Sequence, residues 1–282
     1  MMPRLFPPLD WRANHMKNLM ESWDGISKAC AGKNIILFLD YDGTLAPIAE
    51  NPWKAVLPEE NKELIERLVN IPLFQVVIIS GRALADLKMM AGIEGVIYIG
   101  NHGWEIEGSS MHFESFISIK VSSIMQKLKY ELITAMSDIQ GAFVEDKGMT
   151  LSVHYRQVGR EREFLVRRIF ERICVPYRRQ NMVRIHTGKK VLELRPPVEW
   201  DKGKAVLWLL RKQEILKGKG NVLPVYIGDD ASDEEAFKAL KDKGVTVFVG
   251  SVKSSSARYY LRGQEDVTEF LKYMIYGAYE KL

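Results

Sequence analysis

Apolar residues in this chain gather in short unbroken runs rather than alternating with polar ones. "IILFL" (35–39), "FQVVIIS" (74–80), "GVIYIG" (95–100), "VLPVYIGD" (222–229) and "VTVFVG" (245–250) are each rich in Val and Ile and bounded by turn residues. Such blocks suit strands buried on both faces, as in a parallel sheet. Helical patterns lie between them. "PEENKELIERLVN" (58–70) opens on Pro58 and early acids, and places Leu64, Ile65, Leu68 and Val69 on one stripe. Residues 83–92 and 202–216 read the same way. The alternation predicts an α/β fold, a doubly wound parallel sheet covered by helices on both faces.

The rhythm changes between about residues 105 and 190. One long helical segment, "SFISIKVSSIMQKLKYELITAMSDI", is followed by two strand-like runs, "AFVEDKG" and "TLSVHYRQ". A helix around 161–173 then leads to "MVRIHTG" and "KVLELRP". Helix, paired strands, helix, paired strands predicts a small α+β domain inserted into the parent sheet. The expected organisation is an N-terminal extension (1–33), a core (34–104 and 195–282) and an insert (105–194). Within the extension Pro3, Pro7 and Pro8 predict an irregular lead, and "RANHMKNLMESWDGI" a helix.

Composition narrows the function classes. The chain has 282 residues, 46% hydrophobic and 27% charged, which suits a globular enzyme with a sizeable core. The net charge of +4 is small, and the basic stretch "REREFLVRRIFERICVPYRR" is interleaved with glutamates, so it reads as a solvated helix face with ion pairs. Neither nucleic acid nor membrane is an expected partner. No secretory signal or long apolar span is read, and Cys30 and Cys174 have no ligand spacing, so two free thiols and a cytoplasmic location are expected.

Candidate chemistry sits at the ends of the apolar runs. "IILFLDYDGTL" delivers Asp40 and Asp42 to the carboxyl edge of the sheet, where open α/β folds hold ligands. "YIGDDASDEEAF" adds Asp229, Asp230 and Asp233, although Ser232 also suits a helix cap and Asp233 a helix N-terminus. Acids so concentrated need a counter-ion, and oxygen ligands of this kind suit Mg²⁺. "IISGR" offers Ser80 and a helix start as a phosphate seat, or simply a serine cap. Lys202, at a helix start, wants an anion beside it.

In this order the four stretches resemble the haloacid dehalogenase superfamily, with motifs in "DYDGTL", "SGR", Lys202 and "GDDASDE". The resemblance implies a Rossmann-like haloacid dehalogenase core with an inserted α+β cap domain. It implies Asp40 as nucleophile, Asp42 as acid and base, and Ser80 and Lys202 on the transferring phosphoryl group. Mg²⁺ would be held by Asp40, the Asp42 main-chain carbonyl and Asp229, with Asp233 supporting.

Three further stretches resemble the trehalose-6-phosphate phosphatase family: "GNHGWEIE", "VEDKGMTLSVHYR" and "GKKVLELRPPVEWDKGKAV". This likeness covers nearly all of the chain after residue 33, with Ser232 where threonine is commoner. It implies hydrolysis of trehalose 6-phosphate, the last step of trehalose biosynthesis. Glu145, Lys147, Lys189 and Glu193 would contact the distal glucose, and Arg82, Asn101, His102 and Asp230 would complete the substrate site from the core. A small sugar phosphate is the implied partner, and a trehalose-6-phosphate synthase is a partner the sequence leaves open. Without the resemblance, Glu145 and Lys147 read as an ion pair on a wet sheet face; His154, even within the family's stretch, reads as a hydrogen-bonding core or hinge residue. Other readings are a phosphatase for mannosyl-3-phosphoglycerate, sucrose 6-phosphate or glucosylglycerol phosphate, and a non-catalytic sugar-phosphate sensor.

Overall fold

A computed structural model describes residues 16–49, 52–108, 111–114, 119–198, 200–218, 221–251 and 254–279. The chain runs through β1 (Lys17–Asn18), α1 (Trp23–Cys30), β2 (Asn34–Asp40), α2 (Glu59–Val69), β3 (Phe74–Ile79), α3 (Leu84–Ala91), β4 (Ile97–Gly100), β5 (Glu105–Gly108) and β6 (Met111–Glu114). It continues through α4 (Ile119–Met136), β7 (Phe143–Asp146), β8 (Leu151–His154), α5 (Glu163–Arg179), β9 (Arg184–Gly188) and β10 (Val191–Arg195). It closes with α6 (Lys202–Lys217), β11 (Val222–Gly228), α7 (Glu234–Leu240), β12 (Val245–Val249), β13 (Tyr259–Leu261) and α8 (Gln264–Tyr279). Two compact units result: Met1–Phe113 with Trp200–Leu282, and Glu114–Glu199.

Among the described residues of the first unit and its β6 edge, nine strands pair in the order β1-β13-β12-β11-β2-β3-β4-β5-β6. The pairs from β1 to β4 are parallel, and β5 runs antiparallel to β4. The unbroken apolar runs are explained by two cores. Ile35, Leu37 and Leu39 of β2 join one cluster with side chains of α1, α2, α3 and α8, whereas Ile36 and Phe38 join a second with α6 and α7. Each such side chain removed from water stabilises the fold by about 1.5–3 kcal/mol, which neither face of a solvated strand would supply. From β2 the chain proceeds to β3 on one side, and it later returns through α6 to β11 on the other, so the end of β2 is a topological switch point.

The second unit holds a four-stranded antiparallel sheet, β7-β8-β10-β9. Leu151, Val153, Leu192 and Leu194 pack one face of it against Leu128 and Leu132 of α4 and Val166 and Phe170 of α5. In-register pairing puts Glu145, Ser152, Glu193 and His186 in one row across the other face.

Three expectations are corrected. The stretch expected as one N-terminal helix instead contains the short strand β1 within its described part. Asn18 Oδ1 accepts the amides of Met20 and Glu21 at 2.9 and 3.2 Å, a local turn that delays the helix to Trp23. Leu19 and Ile26 are fully buried and Trp23 stacks edge-on with Phe270 and Tyr273, so this stretch belongs to the core. Helix α5, expected to end near 173, runs through Pro176 to Arg179. Buried Cys174 and half-buried Tyr177 hold that last turn on the hydrophobic cluster, which offsets the hydrogen bond proline cannot donate. Residues 105–108, expected to open the insert, form β5 and pair with β4 in the large sheet. Residues 1–15 and the start of the expected 115–139 helix lie outside the described residues.

Candidate active site

The end of β2 is built as a hairpin of loops rather than a simple strand end. Asp40 is the strand's last residue, and Tyr41, fully buried, turns inward to donate its hydroxyl to Ala55 O at 3.0 Å. The amide of Gly43 donates to Ala46 O and that of Ala46 to Tyr41 O, closing the turn. Gly43 has φ +95°, and a Cβ there would sit 2.1 Å from Asp229 Oδ2. The glycine therefore serves the acid of a strand nearly two hundred residues away.

Lys202 is at the centre of the site. It opens α6 behind Asp201, whose Oδ1 caps the helix by accepting the amide of Lys204 at 2.8 Å. Its ammonium, 2% exposed, donates to Asp40 Oδ1 at 2.6 Å and to Asp233 Oδ1 at 2.8 Å. Tyr226 of β11, fully buried, donates its hydroxyl to the same Asp233 oxygen at 2.7 Å. The other oxygen of Asp233 accepts the amides of Asp229 and Asp230 at 3.0 and 3.1 Å. Asp233 thus fills both oxygens with protein donors and shapes the loop that carries Asp229.

Burial governs the charges here. It pushes the Asp40 carboxyl well above its usual range, Asp233 and Asp229 adding to the rise and Lys202 opposing it. Burial, then Asp233 and Asp230, lifts Asp229 to about 7. Asp233 is raised by burial against the pull of Lys202. For Asp230 burial also pushes upward, but Lys202 and hydrogen bonds from Ser232 outweigh it and leave the group at about 2. Burial would lower Lys202, yet Asp233 and Asp40 hold it well above an ordinary lysine. Oxygens of Asp40, Asp229 and Asp233 lie within 4.8 Å of one another. An all-oxygen set of acids with raised proton affinity and one lysine among them fits a hard divalent cation.

A second group forms around Asp42. Arg82 donates from Nε to Asp42 Oδ2 at 2.8 Å and from Nη2 to Oδ1, and Ser80 Oγ lies 3.3 Å from Oδ2. Ser80 and Arg82 stand on the loop between β3 and α3, since the helix begins only at Leu84, two residues after the arginine. Asn101 and His102 approach this loop from the end of β4, their amides donating to Arg82 O and Ser80 O at 2.6 and 3.0 Å. Both adopt left-handed backbone, φ 54° and 57°, a conformation that costs of order 1–3 kcal/mol at a non-glycine residue and gathers at functional sites. The His102 ring lies where a side chain on Gly81 would be, its Cε1 2.4 Å from that position. Asp42 thus takes partners distinct from those of Asp40, two residues before it.

In the second unit Glu145 Oε2 bonds His154 Nε2 at 2.7 Å, with Lys147 Nζ at 3.8 Å. The His154 ring stacks on Phe143 at 4.6 Å. Glu193 Oε2 accepts Arg195 Nε and Nη2 at 3.0 and 2.8 Å. Lys189 is exposed at the tight turn between β9 and β10, where Lys190 has φ 65°. Ser232, expected as a helix cap, instead donates its hydroxyl and amide to Asp230 Oδ1 at 2.7 and 2.8 Å.

Sequence reasoning did not single out Tyr226 or Thr44. Tyr226 carried a signal, being the one hydroxyl inside the run "VLPVYIG". Thr44, buried, reaches Asp229 Oδ1 at 3.4 Å and differed in no visible way from a turn residue. Among the described residues, no helix is long and apolar enough to cross a membrane.

The trehalose-phosphatase family model matches residues 38–265. The chain is 36% identical over 277 residues to the probable trehalose-phosphate phosphatase D of Arabidopsis thaliana, covering 94% of this chain and 73% of that one. It is 34% identical over 281 residues to the trehalose 6-phosphate phosphatase RA3 of Zea mays, covering 93% and 75%. Its fold is similar to the C-terminal domain of the C. albicans trehalose-6-phosphate phosphatase, with a TM-score of 0.76 at 24% identity over 93% of this chain and 99% of that one. With its acids, lysine and loops in that order along the match, the chain belongs to the trehalose-phosphatase family.

Proposed function

We propose that this protein hydrolyses trehalose 6-phosphate to trehalose and phosphate, and that it does so through a phosphorylated Asp40. The observation that carries the reading is the buried knot of Asp40, Lys202 and Asp233 beside Asp229, at the switch point of the sheet. A sensor of sugar phosphates would gain nothing from a desolvated nucleophile held by a lysine. Asp40 Oδ attacks phosphorus, forming the acyl–phosphate bond as the bond to the sugar oxygen breaks. Asp42 gives its proton to the departing oxygen, then takes one from the water that cleaves the acyl phosphate. Lys202 and Ser80 hold the phosphoryl oxygens as charge redistributes.

Mg²⁺ is the proposed cofactor, with Asp40, Asp229 and the Asp42 carbonyl as its holders and Asp233, its own oxygens occupied, supporting them. When bound, a divalent cation offsets the repulsion between an anionic nucleophile and an anionic phosphate. Glu145, Lys147, Lys189 and Glu193 are the proposed contacts for the distal glucose, with Asn101, His102 and Asp230 on the core side. Division into a core and an α+β cap, with the cap corresponding to the unit Glu114–Glu199, is part of the same proposal. A trehalose-6-phosphate synthase, as the source of the substrate, is the proposed macromolecular partner.

Phosphate release from a panel of sugar phosphates with Mg²⁺ tests the reading. Trehalose 6-phosphate is expected to lead sucrose 6-phosphate and glucose 6-phosphate, and Asp40→Asn to lose roughly 10⁴-fold or more. Faster turnover of mannosyl-3-phosphoglycerate would overturn the substrate and leave the chemistry standing. Unchanged release by Asp40→Asn would overturn the chemistry.

A further inference from the structure

Asp42 lies in the turn after the strand, where, among the described residues, Ser80 and Arg82 meet its carboxylate. Those partners come from one loop. Arg82 presents Nε to Oδ2 and Nη2 to Oδ1, so the guanidinium and carboxylate planes meet as two forks, with the Ser80 hydroxyl beside Oδ2. The arginine is itself braced. Its amide donates to Ser80 Oγ at 3.1 Å, Nη1 lies 3.2 Å from Met90 Sδ, and the guanidinium carbon lies 5.6 Å from the centre of the Tyr41 ring. Its side chain is 10% exposed against 35% for Asp42, so the guanidinium is the buried partner and the carboxylate the more exposed one.

We propose that Arg82 is a positioning residue for Asp42, holding the carboxyl group in the plane and direction from which it meets the leaving oxygen. This rests on the reading of Asp42 as general acid. A two-point fork fixes a carboxylate's plane as a single ammonium cannot, so the role requires the guanidinium and not merely a positive charge. Three nitrogens of the guanidinium are directed at Asp42 and Met90. This geometry suits an orienting group better than one waiting for a sugar hydroxyl.

The consequence is a dependence on the leaving group. An acidic phenol departs without a proton, whereas a weakly acidic one needs Asp42 in place. The test compares kcat/KM, which reports transfer to Asp40, for aryl phosphates from p-nitrophenyl to phenyl phosphate, none of which carries a sugar. Arg82→Ala is expected to lose less than about tenfold on p-nitrophenyl phosphate and about 10²-fold or more on phenyl phosphate. Arg82→Lys, which keeps the charge and loses the fork, is expected to steepen the series likewise, and added guanidinium to restore Arg82→Ala. Asp42→Asn supplies the reference slope, and adding Arg82→Ala to it should cost little more, because the two act as one unit. A uniform loss across the series, or a slope equal to wild type in both arginine variants, overturns the proposal. If Asp42→Asn itself leaves the slope unchanged, the general-acid reading of Asp42 has failed instead.

Discussion

The charged groups of the two units are wired differently. In the first, contacts tie residues far apart in sequence: Lys202 to Asp40 across 162 positions, Thr44 to Asp229 across 185. In the second, Glu145 finds His154 nine residues away and Glu193 finds Arg195 two residues away. The first arrangement exists only when β2, α6 and β11 are all in place, and it leaves one buried lysine between two buried acids. The second is written into one antiparallel sheet, where Glu145 lies beside His154 and Lys147, and Glu193 beside Arg195. Chemistry is thereby made all-or-none, and the polar sheet face is left open to change one residue at a time.

The contrast is broken most forcefully at Lys202. Lys202→Met keeps the length of the side chain and removes the only ammonium bridging Asp40 and Asp233 among the described residues. Stranding a buried charge of this kind destabilises by about 3–5 kcal/mol. Urea unfolding should show that loss, and phosphate release should fall at least about 10²–10³-fold. Full activity, or a stability loss below about 1 kcal/mol, would mean that the knot is not what holds the strand ends together.

A smaller effect follows from the crowding of acids. Asp229 is lifted by burial, then by Asp233 and Asp230, to about 7. Its folded value is above its unfolded one, near 4, so the folded metal-free chain binds more protons than the unfolded chain between those values. The stability it contributes is fully present below about pH 4 and is lost as pH rises through about 7. Mg²⁺ supplies the missing positive charge only once the acids are ionised. At a hundredfold excess over Kd it should add about 2.7 kcal/mol, roughly 5 °C in Tm, at pH 8 and far less at pH 5. Thermal melts with Mg²⁺ and with chelator, at both pH values, check this; equal shifts at both would contradict it.

How much of this was legible follows from the same contrast. The five apolar runs announced the central strands because a strand buried on both faces cannot hide its composition, as the split of β2 between two clusters shows. The aspartates stood out because they cluster where apolar runs end, and Lys202 because a cation at a helix start is unfavourable. What stayed hidden was pairing across long separations. Nothing in "SGR" says that Arg82 reaches back to Asp42, and nothing in "VLPVYIG" says that Tyr226 braces Asp233. Local turns were missed too: Asn18 delays a helix that periodicity alone extends backwards, and packing carries α5 past a proline that propensity would stop at.

The sharpest test of the contrast is also the smallest in energy. Glu145 and Glu193 both stand opposite Ser152, on the two strands flanking β8. Strands two apart are separated by about 10 Å, and the glutamates have different partners, His154 and Arg195. If each contacts the sugar by a charged hydrogen bond, Glu145→Gln and Glu193→Gln should each raise KM for trehalose 6-phosphate by about 10- to 100-fold. Release from p-nitrophenyl phosphate, which offers no glucose hydroxyls, should stay within about twofold in either variant. Groups about 10 Å apart usually add within about 0.5 kcal/mol, so the double variant should show the product of the two losses. Lys202→Met and Asp233→Asn, which share a hydrogen bond, should instead depart from additivity by about 1–3 kcal/mol. Coupling above about 1 kcal/mol between the two glutamates would show that the second unit's sheet is as tightly wired as the knot around Lys202. Losses on the aryl phosphate as large as those on the sugar would show that it shapes the reaction itself and not the choice of substrate.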